Sequence, residues 1–206
     1  MILFLHGAGS TSDVWKQLRP QINDDTSVLD YYHKNNFEST VSRVTDHIKL
    51  LGTVTLVGHS FGGIVAWHAA RNCSNVRSII TISSPWNGVG IVEILNRMGI
   101  LPHRAIFDAN ENFMKNISRS SYILKETREQ QLSVPHLNII TTKGKPFLPR
   151  NDGLVEVSSQ VAVKSLRNIF LDYNHYEVLR SQDLPGIIHW WHSGFLPMLE
   201  RPRKHP

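Results

Sequence analysis

Val54-Thr55-Leu56-Val57-Gly58-His59-Ser60-Phe61-Gly62-Gly63 is the stretch on which the reading of this chain turns. Val54 to Val57 is an apolar, mostly β-branched run with the composition of a buried strand. Gly58 to Gly62 fits Gly-x-Ser-x-Gly, and a small-residue helical pattern begins at Gly63, Ile64, Val65 and Ala66. A serine held this way between a strand and a helix is expected on a sharp, strained turn. A side chain at position 58 or 62 would meet neighbouring backbone, so both positions take glycine. Such a turn lifts the Ser60 hydroxyl clear of the sheet. There the N–H of Phe61 and the positive end of the helix face any developing negative charge. The plain alternative is a tight glycine turn with a solvated serine, and the strand and helix patterns on either side weigh against it.

The flanking sequence extends the pattern in both directions. Residues 1–5 form a short apolar strand that runs straight into His6-Gly7-Ala8-Gly9, which puts the N–H of Ala8 at the carboxyl edge of a sheet. Ser12 and Asp13 cap a short helix carrying Val14, Trp15 and Leu18, stopped near Pro20, and residues 28–32 read as a second strand. Phe37, Val41, Val44, Ile48 and Leu51 recur at helical spacing, with Gly52 as the stop. Residues 76–82 are another buried-type strand. The rhythm then breaks over residues 88–133, where helical patterns (Ile91, Ile94, Leu95 and Met98; Phe113, Met114 and Ile117) suggest a cap above the sheet. Strands are expected again within 134–142 and over 166–171. A last helix then carries Leu184, Ile187, Ile188, Trp191 and Phe195, with Pro185 in its first turn. This alternation predicts one α/β domain over residues 1–206, with a mostly parallel sheet and helices on both faces.

A serine hydroxyl needs a base to take its proton and a carboxylate to hold that base. The loops after the last two strands offer Asp152, within Asn151-Asp152-Gly153-Leu154-Val155, and His175, within Asp172-Tyr173-Asn174-His175-Tyr176-Glu177. Serine, then aspartate, then histidine is the chain order of an α/β-hydrolase triad. The chain has 11 histidines, so position along it discriminates weakly. His189 and His192 fall inside the last helix, while His59 and His6 are read as braces for their own turns. Asp172 and Glu156 compete with Asp152 for the acid, although three residues on one loop seldom allow Asp172 to support His175. Backbone N–H groups of Ala8 and Phe61 complete an expected oxyanion hole.

Composition sets outer bounds. The hydrophobic share of 41% is ordinary for a globular protein, and no apolar run approaches the roughly 18 residues of a membrane span. Cys73 is the single cysteine, which excludes an intrachain disulfide and a cysteine metal cluster. The opening residues lack the basic start of a signal peptide, so a cytoplasmic location is expected. The net charge of +5 gathers partly in residues 201–206, read as a solvated basic tail. Its residues are not interleaved with aromatics as a nucleic-acid platform requires, and no nucleic-acid partner is expected.

These motifs together resemble an α/β-hydrolase of the lipase and esterase kind. His6-Gly7-Ala8-Gly9 resembles its oxyanion loop and Gly58 to Gly63 its nucleophile elbow. Ser84-Pro85 with Gly88 resembles the segment after the next strand in triacylglycerol lipases and related PGAP-like esterases. Asn151 to Val155 resembles the acid loop, His175 with Glu177 the histidine loop, and residues 121–124 a serine-led helix in the insertion. The resemblance spans nearly the whole chain. It implies ester hydrolysis through an acyl-serine intermediate, without a cofactor, on a small acyl ester or lipid-like substrate. The family's first antiparallel strands are missing, as in compact bacterial lipases. With no leader evident, an intracellular esterase, thioesterase or acyl-lipid hydrolase is expected. Trp86 and the apolar residues of the cap line an acyl pocket or belong to the core. The same triad also serves C–C bonds and acyl transfer. A non-catalytic receptor on this scaffold and a tail that binds nucleic acid are the readings from other classes.

Overall fold

A computed structural model describes residues 1–31, 36–90, 116, 118–163 and 166–194. Six strands make one sheet: β1 (Ile2–Leu5), β2 (Thr26–Leu29), β3 (Val54–His59), β4 (Val76–Ile82), β5 (His136–Thr141) and β6 (Arg167–Leu171). The spatial order is β2-β1-β3-β4-β5-β6, and every neighbouring pair is parallel. The helices are α1 (Phe37–Lys49), α2 (Phe61–Ala70), α3 (Tyr122–Glu129), the single turn α4 (Val157–Gln160) and α5 (Asp183–Gly194).

The central strands are buried on both faces, which is why they read as continuous apolar runs. Side chains still alternate. Leu3, Leu5, Val54, Leu56 and Ile79 join the cluster under α1 and α2. Ile2, Phe4, Val57, Ile80, Ile82, Leu137 and Ile139 join the opposite cluster, with Trp15, Leu184, Ile188 and Trp191. One face of α1 is buried through Phe37, Thr40, Val44, Thr45 and Ile48, and the Asn36 carboxamide oxygen caps it by accepting the Ser39 N–H at 2.7 Å. All ten residues of α2 are buried. That placement demands small residues: a Cβ at Gly62 would lie 2.4 Å from the Leu5 carbonyl oxygen, so α2 packs backbone to backbone on β1.

Several boundaries differ from the sequence reading. The segment after β1 forms two 3-10 turns, Ser12–Trp15, capped by the Thr11 hydroxyl, and Arg19–Gln21. Ser12 instead binds Asp30 through its N–H at 2.6 Å and its hydroxyl at 2.8 Å. The second strand starts two residues earlier than expected and stops at Leu29, before the Asp30 that Ser12 holds. Helix α1 ends at Lys49, where the Asn75 carboxamide donates to the carbonyls of Ile48, Leu51 and Gly52 at 2.8, 2.9 and 3.1 Å. A side chain from a distant loop closes the helix, and Gly52 does not act as a left-handed stop. Of the expected cap, α3 is helical, while residues 91–115 and 117 lie outside the described residues, as do Phe195 and the 201–206 tail.

The strand order reverses direction at β1. The chain leaves β1 toward β2 at one edge and returns to β3 on the other side. A crevice therefore opens between the carboxyl ends of β1 and β3, where open α/β sheets bind ligands. The pairing of Leu5 with Gly58 places the loop after β1 beside the turn after β3.

Candidate active site

Ser60 occupies that crevice. Its backbone sits at φ 54° and ψ −124°, a strained conformation for a residue with a side chain. The neighbours over-determine the turn. The Ser60 N–H donates to the Ile82 carbonyl at 2.7 Å, and a Cβ at Gly58 would lie 2.5 Å from the Gly62 carbonyl oxygen. A Cβ at Gly7 would stand 3.1 Å from the Ser60 Cβ, so the loop carrying Ala8 lies against the serine. Phe61 is the first residue of α2, at its positive end.

His175 and Asp152 meet at the next strand ends. His175 Nδ1 and Asp152 Oδ2 are 2.8 Å apart, and both residues are buried. The His175 backbone N–H also donates to the Asp152 carbonyl at 2.9 Å. His175 Nε2 is buried and has no hydrogen-bond partner among the described residues. Asp152 is saturated. Its Oδ1 accepts the N–H groups of Leu154 and Val155 at 3.0 and 2.7 Å. Its Oδ2 accepts the Thr141 hydroxyl at 2.7 Å and the Gln160 carboxamide at 3.2 Å. Burial alone would raise the carboxyl's pKa, but the facing His175 and these donors hold it below the ordinary carboxylate value.

The rivals are engaged elsewhere. Asp172 accepts the Thr142 hydroxyl at 3.2 Å. Glu156 accepts the Gly90 N–H at 3.1 Å and pairs with Arg119 at 2.9 Å. His189 pairs with Asp24, and His192 lies beside Thr55 at 2.9 Å, at the amino edge of the sheet opposite Ser60. His6 donates from Nδ1 to the Gly7 carbonyl at 2.8 Å and stacks on Tyr31. Trp86 is fully buried and donates to Asn138 Oδ1 at 3.3 Å, so of its two readings the core one holds.

His59 does more than brace its own turn. Its Nε2 donates to the His175 carbonyl at 2.8 Å, and the two rings pack with centroids 4.7 Å apart. The elbow thereby holds the histidine loop directly. Burial, with the His175 ring second, pushes His59 down to about 3. Burial likewise pushes His136 down to about 3, and His68 and His192 down to about 4. Unfolded histidine titrates at about 6.5, so below that pH the unfolded chain binds more protons than the native one. Stability is therefore expected to fall steadily as the pH drops from 6.5 toward 4. Thermal melts across that range read it directly, and a constant Tm would contradict it.

A model of the alpha/beta hydrolase family matches residues 2–194. The chain belongs to the alpha/beta hydrolase family. Solved structures share its fold at low identity. The mature lipase BlEst2 of Bacillus licheniformis superposes with a TM-score of 0.75 at 16% identity, covering 91% of this chain and 89% of that one. The metagenomic carboxyl esterase MGS0156 gives 0.70 at 13% identity, covering 94% and 74%. The Vlm2 thioesterase domain, bound with a tetradepsipeptide, gives 0.59 at 16% identity, covering 93% and 92%. No curated protein matches the sequence. In this alpha/beta hydrolase no helix among the described residues is long and apolar enough to cross a membrane.

Thr141 and Gln160 escaped the sequence reading. Thr141 carried a weak signal, a hydroxyl at the end of an apolar run just before the acid loop. Gln160 lies eight residues beyond Asp152 and carried none.

Proposed function

We propose that this alpha/beta hydrolase is a serine esterase that cleaves carboxylic esters through an acyl-serine intermediate. The observation that carries the reading is the buried 2.8 Å His175–Asp152 pair, whose outer nitrogen has no partner among the described residues, at the same sheet edge as the strained Ser60. In the proposed cycle His175 Nε2 takes the Ser60 proton as Oγ attacks the acyl carbonyl. The oxyanion accepts hydrogen bonds from the N–H groups of Ala8 and Phe61, each worth about a hundredfold or more in rate. His175 then gives its proton to the departing alkoxide, leaving the acyl group on Ser60. Water, deprotonated by His175, displaces the acyl group and restores the serine. Asp152 keeps the Nδ1–H tautomer in place and offsets the imidazolium charge.

Neither the fold nor the triad chooses between esters and thioesters, since the same machinery serves both, and the choice falls to assay. A p-nitrophenyl ester series from short to long acyl chains, run beside acyl-thioesters, separates the two. A fluorophosphonate probe is expected to label wild type and to leave Ser60→Ala unlabelled. Ester turnover that tracks the label supports the reading, and its chain-length profile tells a short-chain esterase from a lipase-like enzyme. Neither label nor turnover on any ester or thioester would sink it in favour of a receptor.

A further inference from the structure

The hydrogen bonds around Asp152 have a direction. Gln160 Oε1 accepts the Thr141 N–H at 2.9 Å, while its Nε2 faces the Thr141 carbonyl at 3.1 Å and Asp152 Oδ2 at 3.2 Å. The reversed carboxamide would set its oxygen against these two acceptors and the Val155 carbonyl at 3.4 Å, so only one orientation is compatible with these neighbours. Gln160 therefore pairs with both backbone groups of Thr141, as an adjacent strand would, and aims its remaining donor at the carboxylate. The Thr141 hydroxyl has one proton, which the 2.7 Å contact assigns to Asp152 Oδ2. Ser83 Oγ, 2.7 Å from Thr141 Oγ1, must then be the donor in that pair.

Each link thus points its proton toward Asp152. Ser83 itself lies at φ 55°, the second described non-glycine residue with positive φ beside Ser60. Thr141, Gln160, Ser83 and Asp152 are all fully buried, so water supplies none of these bonds. A carboxylate carried on a loop would otherwise be free to turn. Two backbone N–H groups fix Oδ1, and the hydroxyl and carboxamide fix Oδ2 on the side that meets His175. The Asn138 carboxamide, which donates to the Gln160 carbonyl at 2.8 Å and to Asn168 at 3.0 Å, ties this assembly to β5 and β6.

We infer that Thr141 and Gln160 are positioning residues that hold Asp152 as an oriented anionic acceptor for His175; this rests on the triad reading above. They touch neither substrate nor reacting atoms and act only through the carboxylate. A residue that merely packed the core would change stability and leave the balance of kcat and KM alone.

The test compares Thr141→Val, which keeps the shape and removes the hydroxyl, with Thr141→Ser, which restores it. Gln160→Met removes the second donor independently. On the best p-nitrophenyl ester, Thr141→Val and Gln160→Met are each expected to lower kcat by about tenfold to a hundredfold, the scale of one hydrogen bond to a charged group. KM should stay within about twofold, and Thr141→Ser should recover most of the loss. In wild type, proton NMR is expected to show a downfield His175 Nδ1–H resonance, which moves or broadens in both defective variants.

If kcat in both variants stays within twofold of wild type while Ser60→Ala is inactive, the positioning role falls and the triad stands. If wild type neither labels nor turns over, the triad reading falls and carries this one with it. If neither variant retains a cooperative melting transition, the network is a folding element and the positioning role is again wrong. Should only one lose it, the other decides.

Discussion

Ser60→Ala and His175→Ala are each expected to lower kcat by about five to six orders of magnitude, and the double variant by no more than either single one. The reason lies in the division of labour at the crevice. Without the Ser60 hydroxyl there is no atom for His175 to deprotonate, and without His175 Nε2 the hydroxyl is a feeble nucleophile near neutral pH. Either loss leaves the backbone donors of Ala8 and Phe61 in place. A residual rate about a thousandfold above water is therefore expected from binding and oxyanion stabilisation alone. Ser60→Ala does not relieve the strained turn, because alanine at φ 54° meets the same Cβ constraint, so its Tm should stay near that of wild type. His175→Ala removes a buried ring that packs on His59 and Tyr176, and some loss of Tm is expected there. Initial rates on the best p-nitrophenyl ester, together with the pseudo-first-order labelling rate, decide the matter. Losses that add in the double variant would mean the two side chains work separately, and the proposed mechanism would fail.

Much of this geometry is legible in the sequence, for physical reasons that apply unevenly along the chain. The elbow was legible because steric demands at residues 58, 60 and 62 leave few alternatives, and the colliding Cβ positions at Gly58 and Gly62 show why. The parallel sheet was legible because strands buried on both faces require unbroken apolar runs, and residues 54–57 and 76–82 supply them. Helix α1 was legible from its spacing, but its end was not. The carbonyls of Ile48, Leu51 and Gly52 are closed by Asn75, about two dozen residues away, and no local pattern encodes that.

The same limit explains His59. Its neighbours in sequence implied a brace, yet its partner is the His175 carbonyl, 116 residues on. Gln160 is the extreme case, a polar residue on a single helical turn whose side-chain hydrogen bonds to Thr141 and Asp152 exist only once β5 and the acid loop meet. Local sterics and periodicity show in a sequence, whereas pairings made by tertiary contact do not.

Asp152→Asn is expected to lower kcat by about four orders of magnitude while leaving KM within a few fold. Position 152 receives two fixed backbone donors at one oxygen and three side-chain donors at the other. Asparagine must turn its oxygen toward Leu154 and Val155, because those N–H groups cannot move. Its NH2 group then faces Thr141, Gln160 and His175. The threonine hydroxyl can swing to Gln160 Oε1, 3.4 Å away, but the Gln160 carboxamide is already held by Thr141 and cannot reverse without breaking two backbone bonds. His175 can accept at Nδ1 only by carrying its proton on Nε2, the nitrogen required to receive the serine proton. The imidazole is kept in place but in the wrong tautomer.

Two readouts follow from that geometry. The fluorophosphonate labelling rate should fall in step with kcat, since both depend on the same proton transfer. Nitrogen NMR of His175 should report protonated Nδ1 in wild type and protonated Nε2 in the variant. The crowded donors also predict a loss of stability of about 1–3 kcal/mol, seen as a lower Tm. A variant that kept a tenth of wild-type kcat would overturn the assignment of Asp152 as the orienting acid. With Asp172 held by Thr142 and Glu156 by Gly90 and Arg119, neither rival carboxylate is placed to take over.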